Sequence, residues 1–414
     1  MMPSSGIRHE RLVLAPPLVL VFLLPFAHTT ALRSLMLLLT VAAAIYVWHK
    51  DPGPSIPLKL PLALWAGMAL ISLAWARDPA YSLSEIQSAI GLNLVYFVAF
   101  FALTRDARHW TALRGALLAG VITMTYVATW VYVRTGDLNV DSPLGGALSA
   151  STYLVTVFPL LLVAAFEFRT RKSVRAVAVL AIIAALLVGY LTFNRMFILA
   201  IVASSVTVVA TIAWRRHINL PSLRVLAVAA AIFASASAAF FLSVAQDRVR
   251  TEGISKTVRT TVAADPRWDI WKFSVELIRQ RPFSGVGLGL FAAKDQYRAE
   301  FPEERDRFNT HAHNPFLNYA VQMGIGGVVV LLILLCALLR QFWLLWRSDR
   351  TQLSLIGTAG LAMLIGVLVK AQADDIWGRH NGYLFWALTG AMLGYGSRLN
   401  RDEASGSGAS SGDP

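Results

Sequence analysis

The sequence is poor in cysteine and in charge, and each shortage excludes function classes before any motif is sought. A single cysteine, Cys336, lies in an apolar run of this 414-residue chain. An intrachain disulfide and a cysteine-based metal site are therefore both excluded. Charged residues make up 15% of the chain and hydrophobic residues 56%, against about 25% and about 45–50% in soluble domains. Acidic residues are nearly absent from the apolar runs, which argues against a cation-coupled transporter, because such proteins need carboxylates inside the membrane. There is no Gly-x4-Gly-Lys phosphate loop, so no ATP-driven pump is indicated, and no His-Glu-x-x-His zinc motif. An Asp-x-Asp pair of the kind that holds a metal with a sugar nucleotide is also missing. A soluble enzyme, a secreted disulfide scaffold and a disordered chain are all ruled out.

What the chain has instead is apolar runs near the length that crosses a ~30 Å hydrocarbon core as a helix, about 20 residues. They fall at 12–28, 31–48, 57–76, 86–104, 110–133, 148–168, 174–191, 195–214, 222–244, 315–340, 353–373 and 380–397. The first follows Arg8 and Arg11 as a signal peptide would, but no small-x-small cleavage site comes after it, so it reads as a retained helix. The expectation is an all-α polytopic membrane protein of about twelve spans. Residues 1–244 carry the first nine, 245–312 form one large loop, 313–398 carry the last three, and 399–414 form a disordered tail, Ser/Gly-rich from Ala404 onward.

The net charge of +13 orients this map. With both termini cytoplasmic, 19 of the 37 Lys and Arg residues lie in the tails and cytoplasmic loops, 6 in the short outward loops and 12 in the outward segment 245–312. Short loops rich in Lys and Arg stay on the cytoplasmic side, so 245–312 is expected to face outward. Within it, residues 268–281 place apolar side chains at 268, 271, 275 and 278, a helical spacing that suggests a helix lying at the membrane surface.

Polar chemistry concentrates at the outer ends of spans. Arg195 sits in a short turn between two apolar runs, where it either snorkels to the headgroups or clamps a phosphate. Asn194 is suited to cap the helix that starts there, adding a positive helix end beside the guanidinium. In His311-Ala312-His313-Asn314-Pro315, Asn314 is a good N-cap and Pro315 a good first helical residue. His313 then stands immediately before a long helix, placed to act as a base. His311, two residues away, offers a His-x-His pair, but no third metal ligand is evident. Asp265-Pro266-Arg267-Trp268 reads as an Arg–Asp pair or a second phosphate contact. Pro282-Phe283-Ser284-Gly285-Val286-Gly287-Leu288-Gly289 reads as a close-packed turn, since no βαβ unit surrounds it. Arg77 is an outward cation. Asp374 and Asp375, before Trp377, either orient His313 or pair with Lys370 and Arg379.

The stretch from about 190 to 330 resembles the membrane family of O-antigen ligases, O-antigen polymerases and protein-targeting O-oligosaccharyltransferases. The ligase pattern His-[Asn/Ser/Gln]-x9-Gly-x2-[Gly/Thr/Ala] is met by His313, Asn314, Gly324 and Gly327, and Arg-x3-Leu by Arg195 and Leu199. The loop signature Arg-Trp followed by Pro-x2-Gly-x-Gly is met by Arg267-Trp268 and by Pro282, Gly285 and Gly287. The resemblance implies a fold like that of lipid-carrier-dependent membrane glycosyltransferases, sited in a bacterial inner membrane with the active site facing the periplasm. It also implies a reaction: a glycan on undecaprenyl diphosphate is moved to a sugar hydroxyl of lipid A–core, with no nucleotide, metal or other cofactor and no nucleic-acid partner. In that scheme His313 is the catalytic base, kept neutral by burial and nearby arginines, and Arg195 and Arg267 bind the diphosphate. Asn194, Asn314, His311 and Arg77 support them. The alternatives are a polymerase using the same donor, a protein-glycosylating relative, which is usually longer at its C-terminus, or a non-catalytic transporter of lipid-linked glycans.

Overall fold

The computed structural model describes residues 4–136, 138, 142–167, 172–215, 267–302, 310–372 and 379–409. Among them there is no strand. The helices are α1 (Ser4–Leu23), α2 (Thr30–Lys50), α3 (Lys59–Trp75), α4 (Pro79–Leu103), α5 (Ala107–Thr135), α6 (Gly146–Glu167), α7 (Lys172–Leu191) and α8 (Arg195–Trp214). After them come α9 (Arg267–Gln280), α10 (Lys294–Glu300), α11 (Pro315–Arg347), α12 (Thr351–Ala371) and α13 (Arg379–Ala409). Among the described residues, eight helices (α2, α4 to α8, α11 and α12) are long and apolar enough to cross a membrane, and Val13–Leu23 and α3 add shorter apolar helices. Each expected span falls on one of the thirteen helices except 222–244, which lies outside the described residues. The chain is an all-α, multi-pass membrane protein.

Some boundaries differ from expectation. Helix α1 carries Pro16 and Pro17 in its interior, and α11 runs past 340 to Arg347. Helix α13 continues to Ala409, through part of the stretch expected to be disordered. Its course is anchored where Arg350 donates to the Leu399 carbonyl at 2.8 Å and Arg398 donates to the Phe101 carbonyl at 2.8 Å.

Helices in lipid gain little from hydrophobic association, so small residues that allow close approach set the packing. Helix α12 is the centre of the bundle and is buried along most of its length. Its Gly357 and Gly360 receive Trp346 and Phe342 of α11, and a Cβ at either glycine would overlap them. On another face, Ser204 of α8 donates to the Ala362 carbonyl at 3.0 Å, while a Cβ at Gly366 would meet Ser204 and lie 3.4 Å from the Ala200 carbonyl. Helix α13 settles on α4 in the same way, Gly390 against Phe97 and Gly394 against Phe101. Trp65 of α3 stacks on Trp386 at 5.3 Å and donates to the Tyr319 hydroxyl at 3.0 Å.

The two ends of the bundle differ in chemistry. One end gathers paired arginines: Arg105 with Asp51, Arg114 with Glu167, and Arg215 with the Trp346 and Ser348 carbonyls at 3.0 and 3.1 Å. These are residues the charge pattern assigns to one side. The opposite end holds the starts of α8 and α11 and the end of α12.

Candidate active site

The histidine segment is a strap held at its middle. Trp271 of α9 donates to the Ala312 carbonyl at 2.9 Å, and the Ala312 N–H donates to the Asn318 side chain at 2.9 Å. Asn314 then caps α11, accepting from the Phe316 and Leu317 N–H groups at 3.0 and 3.2 Å, with Pro315 at the first helical position. These bonds hold His313 at φ +51°, a left-handed conformation that costs an L-residue about 1–2 kcal/mol. Such strain persists where surrounding contacts over-determine it, and it collects at functional sites.

The rings of His311 and His313 lie 3.9 Å apart, centroid to centroid. Both residues are buried. His311 meets the Thr310 hydroxyl at 2.9 Å and the edge of Phe291 at 5.9 Å. Burial, and next the charge of His313, push the His311 pKa down to about 3, so His311 stays neutral through the physiological range. The folded-state pKa is below the unfolded value, so the unfolded chain binds the extra proton and stability falls as pH drops from about 6.5 towards 3. The melting temperature of the purified protein is expected to fall with acidification over that window. His311→Asn should flatten the fall, and an unchanged slope would contradict the assignment.

The glycine motifs meet one another. Helix α11 breaks at Gly324, which adopts φ +68° and ψ −166°. The segment from Pro282 to Gly287 crosses the helix there: the Ile325 N–H donates to the Pro282 carbonyl at 2.8 Å, and the Gly287 and Val286 N–H groups donate to the Gln322 carbonyl at 2.9 and 3.1 Å. A Cβ at Gly285 would lie 2.5 Å from the Gln322 backbone, and one at Gly324 would lie 2.5 Å from that of Phe283. The same turn reaches Arg77, whose N–H donates to the Val286 carbonyl at 3.0 Å. Ser274 of α9, bonded to the Tyr297 hydroxyl at 2.7 Å, and Ile270 and Leu277 are buried beside it. Trp268 and Val275, on the face expected to be apolar, are exposed.

Asn194 caps α8 as expected, accepting from the Phe197 N–H at 3.2 Å, and reaches Ser151 of α6 at 3.4 Å. Arg195 is exposed at the helix start, and Arg267, half-buried, begins α9. Helices α8 and α12 run antiparallel with Ala200 beside Gly366, which brings Arg195 level with the end of α12. There Gln372 accepts from the Asn314 side chain at 3.2 Å and donates to the Leu368 carbonyl at 3.0 Å. The arginine-bearing start of α8 and the histidine-bearing start of α11 thus stand at one level, joined through α12. Lys370, one turn beyond Gly366, is fully buried. Asp265, Asp374, Asp375 and Trp377 lie outside the described residues.

Sequence reasoning missed Trp271, Asn318 and Gln372 as supports of the strap. Among the described residues the non-glycine positions with positive φ are His28, Phe193 and His313, each directly before a helix-capping position. Asn194 and Asn314 therefore mark tight turns as well as caps. No group of three or more metal-ligating side chains gathers among the described residues.

No curated protein matches the chain. Residues 180–332 match the family model described as O-antigen ligase, a span that takes in Arg195, Arg267, the glycine turn, the histidine strap and the break at Gly324. The match supports a ligase- or polymerase-type role in glycan assembly. The chain is a multi-pass membrane protein that matches the O-antigen ligase family model over residues 180–332.

Proposed function

We propose that this protein transfers a glycan from undecaprenyl diphosphate to a sugar hydroxyl of lipid A–core, at the periplasmic face of the bacterial inner membrane. The observation that carries the reading is the strap: a strained, buried His313 fixed between α9 and α11, level with the start of α8 where Arg195 stands. The donor's diphosphate leaves readily once its developing charge is neutralised. Arg195 and Arg267 suit that role, because a guanidinium binds phosphate oxygens through a planar fork. The capped starts of α8 and α11 add positive helix ends, and the exposed Trp268 and Val275 let α9 rest on the membrane surface.

In the transfer step the acceptor hydroxyl oxygen bonds to the anomeric carbon as the bond from that carbon to the phosphate oxygen breaks. The hydroxyl proton passes to neutral His313, and the electron pair leaves with undecaprenyl diphosphate, held by the arginines. His313 then loses the proton to water. One displacement inverts the anomeric centre, so retention in the product would contradict it. Arg195→Lys and Arg267→Lys are each expected to lower transfer about 10–100-fold, because lysine lacks the fork. Normal donor binding and turnover in both variants would remove the clamp.

The reading is tested by mixing the purified protein with lipid-linked donor and lipid A–core, in chelator and without nucleotide. Glycan joined to lipid A–core supports the ligase. Extension of the lipid-linked glycan alone would identify a polymerase, and no transfer in either direction would favour a carrier of lipid-linked glycans.

A further inference from the structure

A second polar site lies at the opposite end of the bundle from His313. A cavity of about 340 Å³ opens between α5, α6, α12 and α13. Its floor is apolar: Leu160, Val163, Leu355, Ile356 and Ala359. Its rim is polar: Thr111, Arg114, Glu167, Gln352 and the Tyr395 hydroxyl. Arg114 and Glu167 form a bidentate pair across the rim, with the guanidinium over the Trp110 ring at 5.4 Å. Tyr395 donates to Gln352 at 3.4 Å. Ala107 and Thr111 at the mouth are exposed.

Because α5 and α12 begin here and α6 ends here, the polar rim stands at the membrane surface and the apolar floor within the hydrocarbon. A cavity graded in that direction fits a lipid, with its head at the rim and its chains along the floor. Arg114 has five N–H donors, enough to hold Glu167 and a phosphate oxygen together. Glu167, Gln352 and Thr111 offer three acceptors, matching the three N–H donors of a primary ammonium; a quaternary ammonium has none to give. The rim carboxylate also disfavours a head of net negative charge, although the arginines clustered at this end would otherwise attract one.

We propose that this cavity binds phosphatidylethanolamine from the leaflet opposite the histidine strap, a site separate from the glycan-transfer chemistry. The test is native mass spectrometry of the full-length protein in detergent, titrated separately with phosphatidylethanolamine, phosphatidylcholine and phosphatidylglycerol of equal chain length. Phosphatidylethanolamine should bind about tenfold more tightly than the other two. Glu167→Gln should erase that preference, and Thr111→Trp, placed at the exposed mouth, should block retention while leaving the ion pair and the melting temperature intact. Equal retention of all three lipids by the wild-type protein, preference for phosphatidylglycerol, a preference that survives Glu167→Gln, or unchanged retention in Thr111→Trp would overturn the proposal. Competition by soluble glycerophosphoethanolamine as strong as by the lipid would also overturn it, since the acyl chains would then contribute nothing.

Discussion

Replacing His313 by alanine should slow glycan transfer by about 10²–10⁴-fold, the usual contribution of a positioned general base, while leaving donor binding close to wild type. The two readouts separate because the residues have different roles. In the proposed reaction the arginines serve the leaving diphosphate, and the imidazole serves the incoming hydroxyl. The contacts that fix the strap pass through the Ala312 backbone, Asn314 and Asn318, so removing the imidazole leaves them in place. Alanine keeps a Cβ, so the left-handed backbone at 313 stays as strained as before. Transfer by His313→Ala at the wild-type rate would eliminate the base. Loss of donor binding along with transfer would instead make His313 a binding residue.

Gly324→Ala should abolish transfer and lower the melting temperature. Gly324 lies at φ +68° with the Phe283 and Pro282 backbones 2.5 to 2.7 Å from the place a Cβ would occupy. The backbone penalty is about 1–2 kcal/mol, and forced repacking typically adds about 1–3 kcal/mol. The displaced atoms are backbone and cannot rotate aside. If α11 straightens instead, it loses the bonds to the crossing segment: Ile325 to Pro282, and Val286 and Gly287 to Gln322. Gly326→Ala is the matched control: two residues on, its Cβ would meet only the flexible end of Met68, 3.1 Å away. The pair should differ sharply in melting temperature and in transfer. Equal tolerance of both would mean that the break at 324 is dispensable.

The spans were legible because an apolar run of membrane length has few other meanings, and the charge pattern placed Arg105, Arg114, Arg215, Arg350 and Arg398 at one end, where the structure gathers them. The two capped helix starts were legible because Asn before Arg195 and Asn-Pro after His313 leave little choice of local structure. The break in α11 was not. A glycine inside an apolar helix looks tolerable, and only the approach of Phe283, some forty positions earlier, shows why a side chain is forbidden there. The side of α9 that packs on the protein was not legible either. Ser274 is buried with its hydroxyl satisfied by Tyr297, a partner 23 residues away that no local pattern points to. Gln372 was invisible for the same reason: its role depends on where α12 happens to end.

In the proposed reaction the donor's diphosphate is seated where the starts of α8 and α11 meet the end of α12. Photo-crosslinking with a polyprenyl diphosphate analogue carrying the reactive group next to its phosphates, followed by peptide mapping, tests this directly. Labels should fall on the first turn of α8 around Arg195 and on residues 311–314, and excess unlabelled donor should remove them. Labels confined to the Arg114–Glu167 end of the bundle, or unaffected by donor, would rule out that seat.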